Sequence, residues 1–134
     1  MTTEHRAGQV SLAFSTDPAL LGIVRGAVQF VARRNRFAEA EALNLTHAVE
    51  QACRMIIAEH YQGRPTETLR LRLDILTDRL EVVVEDGEMA ALPETSPDAF
   101  LMARGVDRVV QERTAEGLLR LTLIKYRSRP VLQP

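Results

Sequence analysis

The sequence predicts an α+β fold, a two-layer sandwich in which a mostly antiparallel sheet carries three helices on one face. Three observations lead there. Leu69, Leu71, Leu73 and Ile75 alternate with Arg70, Arg72 and Asp74, and after Thr77-Asp78-Arg79 a second run, Leu80, Val82 and Val84, alternates with Glu81, Val83 and Glu85. Two period-two runs joined by a short polar turn make a β-hairpin. Two longer stretches carry apolar stripes at helical spacing, and Thr16-Asp17-Pro18 and Ser96-Pro97-Asp98 both have the cap-plus-proline form of a helix start.

Element by element, Val10, Leu12 and Phe14 alternate with small polar residues and predict a first strand with one buried face. Asp17 can accept from the free N–H groups of a new helix, and Pro18 fits its first position, where a missing N–H costs nothing. Leu20, Leu21, Val24, Val28 and Val31 share one face of that helix, which Arg33-Arg34-Asn35-Arg36 ends. A second helix is expected from about Ala38 to Tyr61, its stripe built from Leu45, Val49, Ala52 and Ile56. Gln62-Gly63-Arg64-Pro65 stops it, because glycine suits a left-handed cap and proline cannot continue the helix. The hairpin follows, then a loop from Asp86 to Thr95. A third helix is expected after Ser96, carrying Leu101, Val106, Val109 and Val110, and Leu119, Leu121 and Leu123 form a last strand. The expected order is strand, helix, helix, strand, strand, helix, strand, in one domain over residues 1–134 with its core at about 9–127 and a frayed tail from Ser128.

Composition narrows the function. The 134 residues suffice for one domain with a hydrophobic core, and 46% apolar and 26% charged residues are ordinary globular usage. A net charge of -1 gives no electrostatic case for nucleic acid or a membrane surface, leaving only Arg64, Arg70, Arg72 and Arg127–Arg129 as candidates for a local basic patch. The lone Cys53 excludes an internal disulfide and a multi-cysteine zinc site. His5, His47 and His60 lack ligand spacing, so no metal site is expected from them. No stretch approaches the roughly 20 apolar residues of a membrane span, and the polar start has no signal-peptide core, so a cytoplasmic protein is expected. None of Ser11, Ser15, Ser96 and Ser128 has a Gly-x-Ser-x-Gly setting, and Cys53, beside an apolar helix face, reads as core.

Three segments carry a resemblance to a known family. They are Phe14-Ser15-Thr16-Asp17-Pro18-Ala19-Leu20-Leu21-Gly22-Ile23-Val24-Arg25, Leu45-Thr46-His47-Ala48-Val49-Glu50-Gln51-Ala52-Cys53, and Leu80-Glu81-Val82-Val83-Val84-Glu85-Asp86. With the element order, they resemble the anti-sigma-factor serine kinases, a branch of the Bergerat-fold ATPases shared by histidine kinases and gyrase. The resemblance covers nearly the whole chain and implies a site for ATP and magnesium. It places Glu50 as candidate catalytic base, polarising a water or the substrate hydroxyl, and Asp86 as the carboxylate that reads the adenine amino group, with Gly87 beside it.

The sequence departs from that family's pattern where the triphosphate would lie. The family holds magnesium with an Asn four residues after the Glu, one helical turn on and so on the same face. Here that position is Arg54, which has five donors and no acceptor and cannot coordinate a metal. Glu50 and Arg54 instead have the spacing of a helix ion pair, although Arg54 could also touch a phosphate. The glycines expected second and fourth after Asp86 are Glu88 and Ala90, and Gly87 comes one position early. A Gly-containing loop that merely closes a strand fits these residues equally well. In register with Asp107, taken as the acidic residue of the third helix, the phosphate-cradling Gly-Leu-Gly-Leu becomes Ser96, Pro97, Asp98 and Ala99. Pro97 has no N–H to offer and Asp98 repels phosphate, whereas both make good helix starts.

The resemblance therefore implies an anti-sigma-factor-like regulator that binds a sigma factor or an antagonist protein, as a homodimer, with ATP binding and kinase activity weak or lost. An active serine/threonine kinase that phosphorylates an antagonist, with Glu50 as base, is the alternative. A third reading is a domain that takes an unrelated ligand in the vacated cleft.

Overall fold

The computed structural model describes residues 6–86, 102–115, 117 and 119–128. Strand β1 (Arg6–Ser15) leads through a 3-10 turn at Pro18–Leu20 into α1 (Leu21–Arg34) and α2 (Glu39–His60). Then follow β2 (Thr68–Leu76), β3 (Arg79–Asp86), β4 (Arg108–Arg113) and β5 (Leu119–Tyr126). The five strands form one sheet in the order β1-β2-β3-β5-β4, and every neighbouring pair is antiparallel. No described helix is long and apolar enough to cross a membrane.

Local chemistry accounts for most boundaries. The Asp17 carboxylate accepts from the Ala19 N–H at 3.0 Å, and Pro18 opens the turn. Asn35 closes α1, its side chain donating to the Val31 carbonyl at 2.7 Å, and Arg36 turns the chain with φ 67°. At the start of α2, Glu41 reaches back to accept from the Ala38 N–H at 3.0 Å, satisfying a donor the helix leaves free. Gly63 takes φ 77° after α2, the left-handed conformation expected of it.

The core lies between the helices and one face of the sheet. Leu71, Leu73, Leu80, Val82, Val84, Leu121 and Leu123 meet Val24 and Val28 of α1 and Leu45, Val49, Ala52 and Ile56 of α2. The register explains why these strand residues coincide: Leu73 pairs with Val82, and Val82 with Leu123, so one pleat face is apolar across three strands. Each such side chain contributes roughly 1.5–3 kcal/mol by leaving water. On the opposite face Asp74 is also buried, accepting from Gln9 at 2.9 Å and from Arg72 at 3.1 Å. Arg72 is thus neutralised rather than part of a basic patch. Arg127 likewise serves the fold, donating to the carbonyls of Asn35, at 3.1 Å, and Thr77.

Two expectations are corrected. β1 begins at Arg6, ahead of Val10, because pairing with β2 continues past an irregularity between Arg6 and Gly8. More consequentially, the sheet has a fifth strand. Residues 102–104 are helical, but the chain turns at Gly105, and Val109 and Val110, expected on the third helix, lie in β4. Apolar residues at 106, 109 and 110 satisfy helical spacing, yet adjacent β-branched valines favour a pleated strand. Asp107 also falls after the helix: its N–H donates to the Ile124 carbonyl at 2.9 Å and its carboxylate accepts from the Tyr126 N–H at 2.7 Å, tying β4 to the end of β5.

Candidate functional site

One end of the sheet gathers the residues that matter. Ser15 pairs with Thr68, Arg70 with Glu85, and Asp86 with Leu119, so the ends of β1 and β3 emerge at the same edge of the sandwich. The C-terminal half of α2 arrives at that end too, because its following loop feeds directly into β2.

Thr16 fixes the junction. Its N–H donates to the Glu67 carbonyl at 2.9 Å, and its hydroxyl donates to the carbonyls of Arg64 at 2.5 Å and Glu67 at 3.3 Å. The residue is 1% exposed, so these bonds are made without water competing. Between this junction and α2 opens a cleft of about 360 Å³. Leu21, Ile57, Ala58 and Tyr61 give it apolar walls, while Arg54 and Arg64 bring guanidiniums to it. Arg54, Ile57, Ala58 and Tyr61 recur at helical spacing, so one stripe of α2 supplies a whole wall. The Arg64 guanidinium lies 5.1 Å from the centre of the Tyr61 ring, a cation–π contact, and also donates to the His60 carbonyl.

Glu50 sits one turn before Arg54. Its Oε2 accepts from Arg54 Nη2 at 2.7 Å, and its Oε1 lies 3.6 Å from Nε of Arg25 on α1. The Glu50 side chain is 15% exposed and those of Arg25 and Arg54 about half exposed, so the carboxylate is clamped between two helices. The Glu50–Arg54 pair expected from the sequence is present. Arg25 is the participant the sequence did not reveal, since only the packing of α1 on α2 brings it into range. Two guanidiniums against one carboxylate leave this corner positively charged.

The remaining sequence candidates are less informative. Asp86 is the last residue of β3. Gly87, Glu88, Ala90 and the four positions 96–99 lie outside the described residues. Cys53 is fully buried, and desolvation, reinforced by the nearby Glu50 charge, pushes its thiol up to about 12, as befits a core side chain. Thr16 stands in the sequence at a helix start and Tyr61 at a helix end, and nothing in their spacing distinguishes a cleft wall from a cap.

Comparison with known proteins follows the same outline. The family model described as the histidine kinase-like ATPase domain matches residues 14–125. The chain belongs to that family. Within the histidine kinase-like ATPases its similarity is to the anti-sigma-factor serine kinase branch: it is 28% identical over 83 residues to the serine-protein kinase RsbW of Bacillus subtilis (strain 168). That match takes in 62% of this chain and 52% of the relative, so the chain spans about half the length of the curated relative it matches. The crystal structure of the RsbU and RsbW domains of Rv1364c from Mycobacterium tuberculosis superposes with a TM-score of 0.72 over 92% of this chain and 34% of that one. At 14% identity this likeness shows the shared fold.

Proposed function

We propose that this ATPase-like domain acts as an anti-sigma-factor-like regulator through protein–protein binding, with magnesium-ATP binding and phosphoryl transfer weak or lost. The observation that carries the reading is the 2.7 Å pair between Arg54 and Glu50. The family's metal position is a cation without an acceptor, and its catalytic acid is already engaged by two arginines. These residues do not fit a magnesium ion, and phosphoryl transfer depends almost wholly on positioning and charge neutralisation. Glu50, bound on both sides, is also poorly disposed to act as a base.

A partner-binding role is supported by α1. Ile23 and Phe30 are 61% and 64% exposed, large apolar side chains two helical turns apart on its outer surface. On the resemblance to the anti-sigma-factor serine kinases, the proposed partners are a sigma factor or an antagonist protein, met by a homodimer in the cytoplasm.

Isothermal titration with magnesium-ATP, ADP and a metal-free control tests the nucleotide half. No magnesium-dependent heat is expected, and micromolar, magnesium-dependent binding would restore the active-kinase alternative. Arg54→Asn should improve nucleotide binding if the rest of the pocket is formed. For the partner half, pull-down from the source cell should recover a sigma factor or an antagonist domain, and Phe30→Asp should weaken that recovery. Recovery of neither rules the regulator out.

A further inference from the structure

We propose that the cleft beside α2 is a binding site for a small organic anion with an apolar body, such as an aryl or acyl carboxylate, taken up without a metal. About 360 Å³ falls within the range of small-molecule pockets, which are concave, mostly apolar and furnished with a few placed polar groups. The lining has that character. Leu21, Ile57 and Tyr61 are each at most 5% exposed, so they form a set wall. Ala58, exposed on α2, keeps the entrance open.

The charge at the cleft selects the ligand class. Among the described residues, none that lines the cleft is acidic, and two are arginines. Arg54 gives one guanidinium nitrogen, Nη2, to Glu50, its partner among the described residues, and a guanidinium carries five donors. The donors left over can meet a carboxylate by charge-assisted hydrogen bonds. Because Arg25 shares Glu50, the Glu50 charge is offset twice and does not cancel the attraction of Arg54 for an incoming anion. In this arrangement Arg54 supplies the positive charge that a metal ion would otherwise bring. An apolar cation is disfavoured by the same charges, and a neutral apolar molecule forgoes the guanidinium.

The test uses sodium 4-phenylbutyrate and its neutral counterpart 4-phenylbutan-1-ol, titrated into the full chain and followed by two-dimensional amide NMR. The acid should move the amides of Ala58, Gly63 and Arg64 along saturable curves that EDTA leaves unchanged. The alcohol should bind at least ten-fold more weakly. Ala58→Phe, a substitution on an exposed helix position that fills the entrance, should abolish the shifts, and Arg54→Met should weaken the acid at least ten-fold while leaving the alcohol alone. The proposal is overturned by an absence of saturation, by shifts confined to the Ile23 and Phe30 surface, by equal affinity for acid and alcohol, or by indifference to either variant. The inference is separate from the regulatory reading: magnesium-dependent ATP binding would sink that reading, whereas this site stands or falls on the metal-free acid.

Discussion

Replacing Gly105 by alanine should destabilise the domain, and the size of the effect can be worked out from the packing of the third helix against α2. A Cβ at this position would lie 2.4 Å from the Asn44 carbonyl oxygen and 2.9 Å from the Ala48 Cβ. The first distance is about 0.9 Å inside the roughly 3.3 Å of a close carbon–oxygen contact. The carbonyl belongs to the backbone of α2, whose hydrogen-bond ladder resists rotation, so relief requires two elements to part. Overpacking of this kind costs about 2–3 kcal/mol. Alanine recovers about 0.5–1 kcal/mol by restricting the unfolded chain, leaving a net loss of about 1–2.5 kcal/mol. For a chain of this size that lowers the melting temperature by roughly 4–10 °C. Urea unfolding followed by far-ultraviolet circular dichroism measures it, with Gly26→Ala as the partner experiment. Gly26 lies within α1 with nothing inside 4 Å of an added Cβ, so there alanine should stabilise by about 0.5–1 kcal/mol. If Gly105→Ala lies within about 0.5 kcal/mol of the parent, the close approach of the turn to α2 is wrong.

Two further outcomes follow from titratable groups. Cys53 should be unreactive toward a disulfide reagent at mildly alkaline pH in the native state and react fully once denaturant is added, because burial holds the thiol protonated near 12; rapid native labelling would place it outside the core. Partial burial works against the charge of Glu41, but hydrogen bonds from Ser128 and the Ala38 N–H, with Lys125 nearby, outweigh it and hold the carboxylate below its ordinary 4.5. A lowered folded value contributes stability that is present above the unfolded value and lost as pH falls through the folded one. The stability gap between the parent and Glu41→Gln should therefore be open near neutral pH and close below about 4.5, and a gap independent of pH would refute the assignment.

The legible parts of this fold were those written in short-range chemistry. The β2–β3 hairpin follows from strict alternation, and the Asp17 and Gly63 boundaries follow from capping. β4 was illegible because Val106, Val109 and Val110 fall at helical spacing, and what places Val109 and Val110 in a strand is their pairing with Leu123 and Thr122 of β5, a contact that spacing along the chain does not show. The same reason explains the site. Glu50 and Arg54 could be paired from their spacing on one helix, whereas Arg25 enters only through the packing of α1 on α2, and the cleft itself depends on where Thr16 holds the loop before β2.

The clasp made by Thr16 has a consequence for how the pocket beside it can respond to an occupant. One threonine anchors that loop through its backbone and its hydroxyl together, so the pocket floor is tied to the end of β1 at two points. Recognition there proceeds by fit to a preformed mould rather than by closure around a guest, and differences among guests should appear in how fast they leave rather than in how fast they arrive.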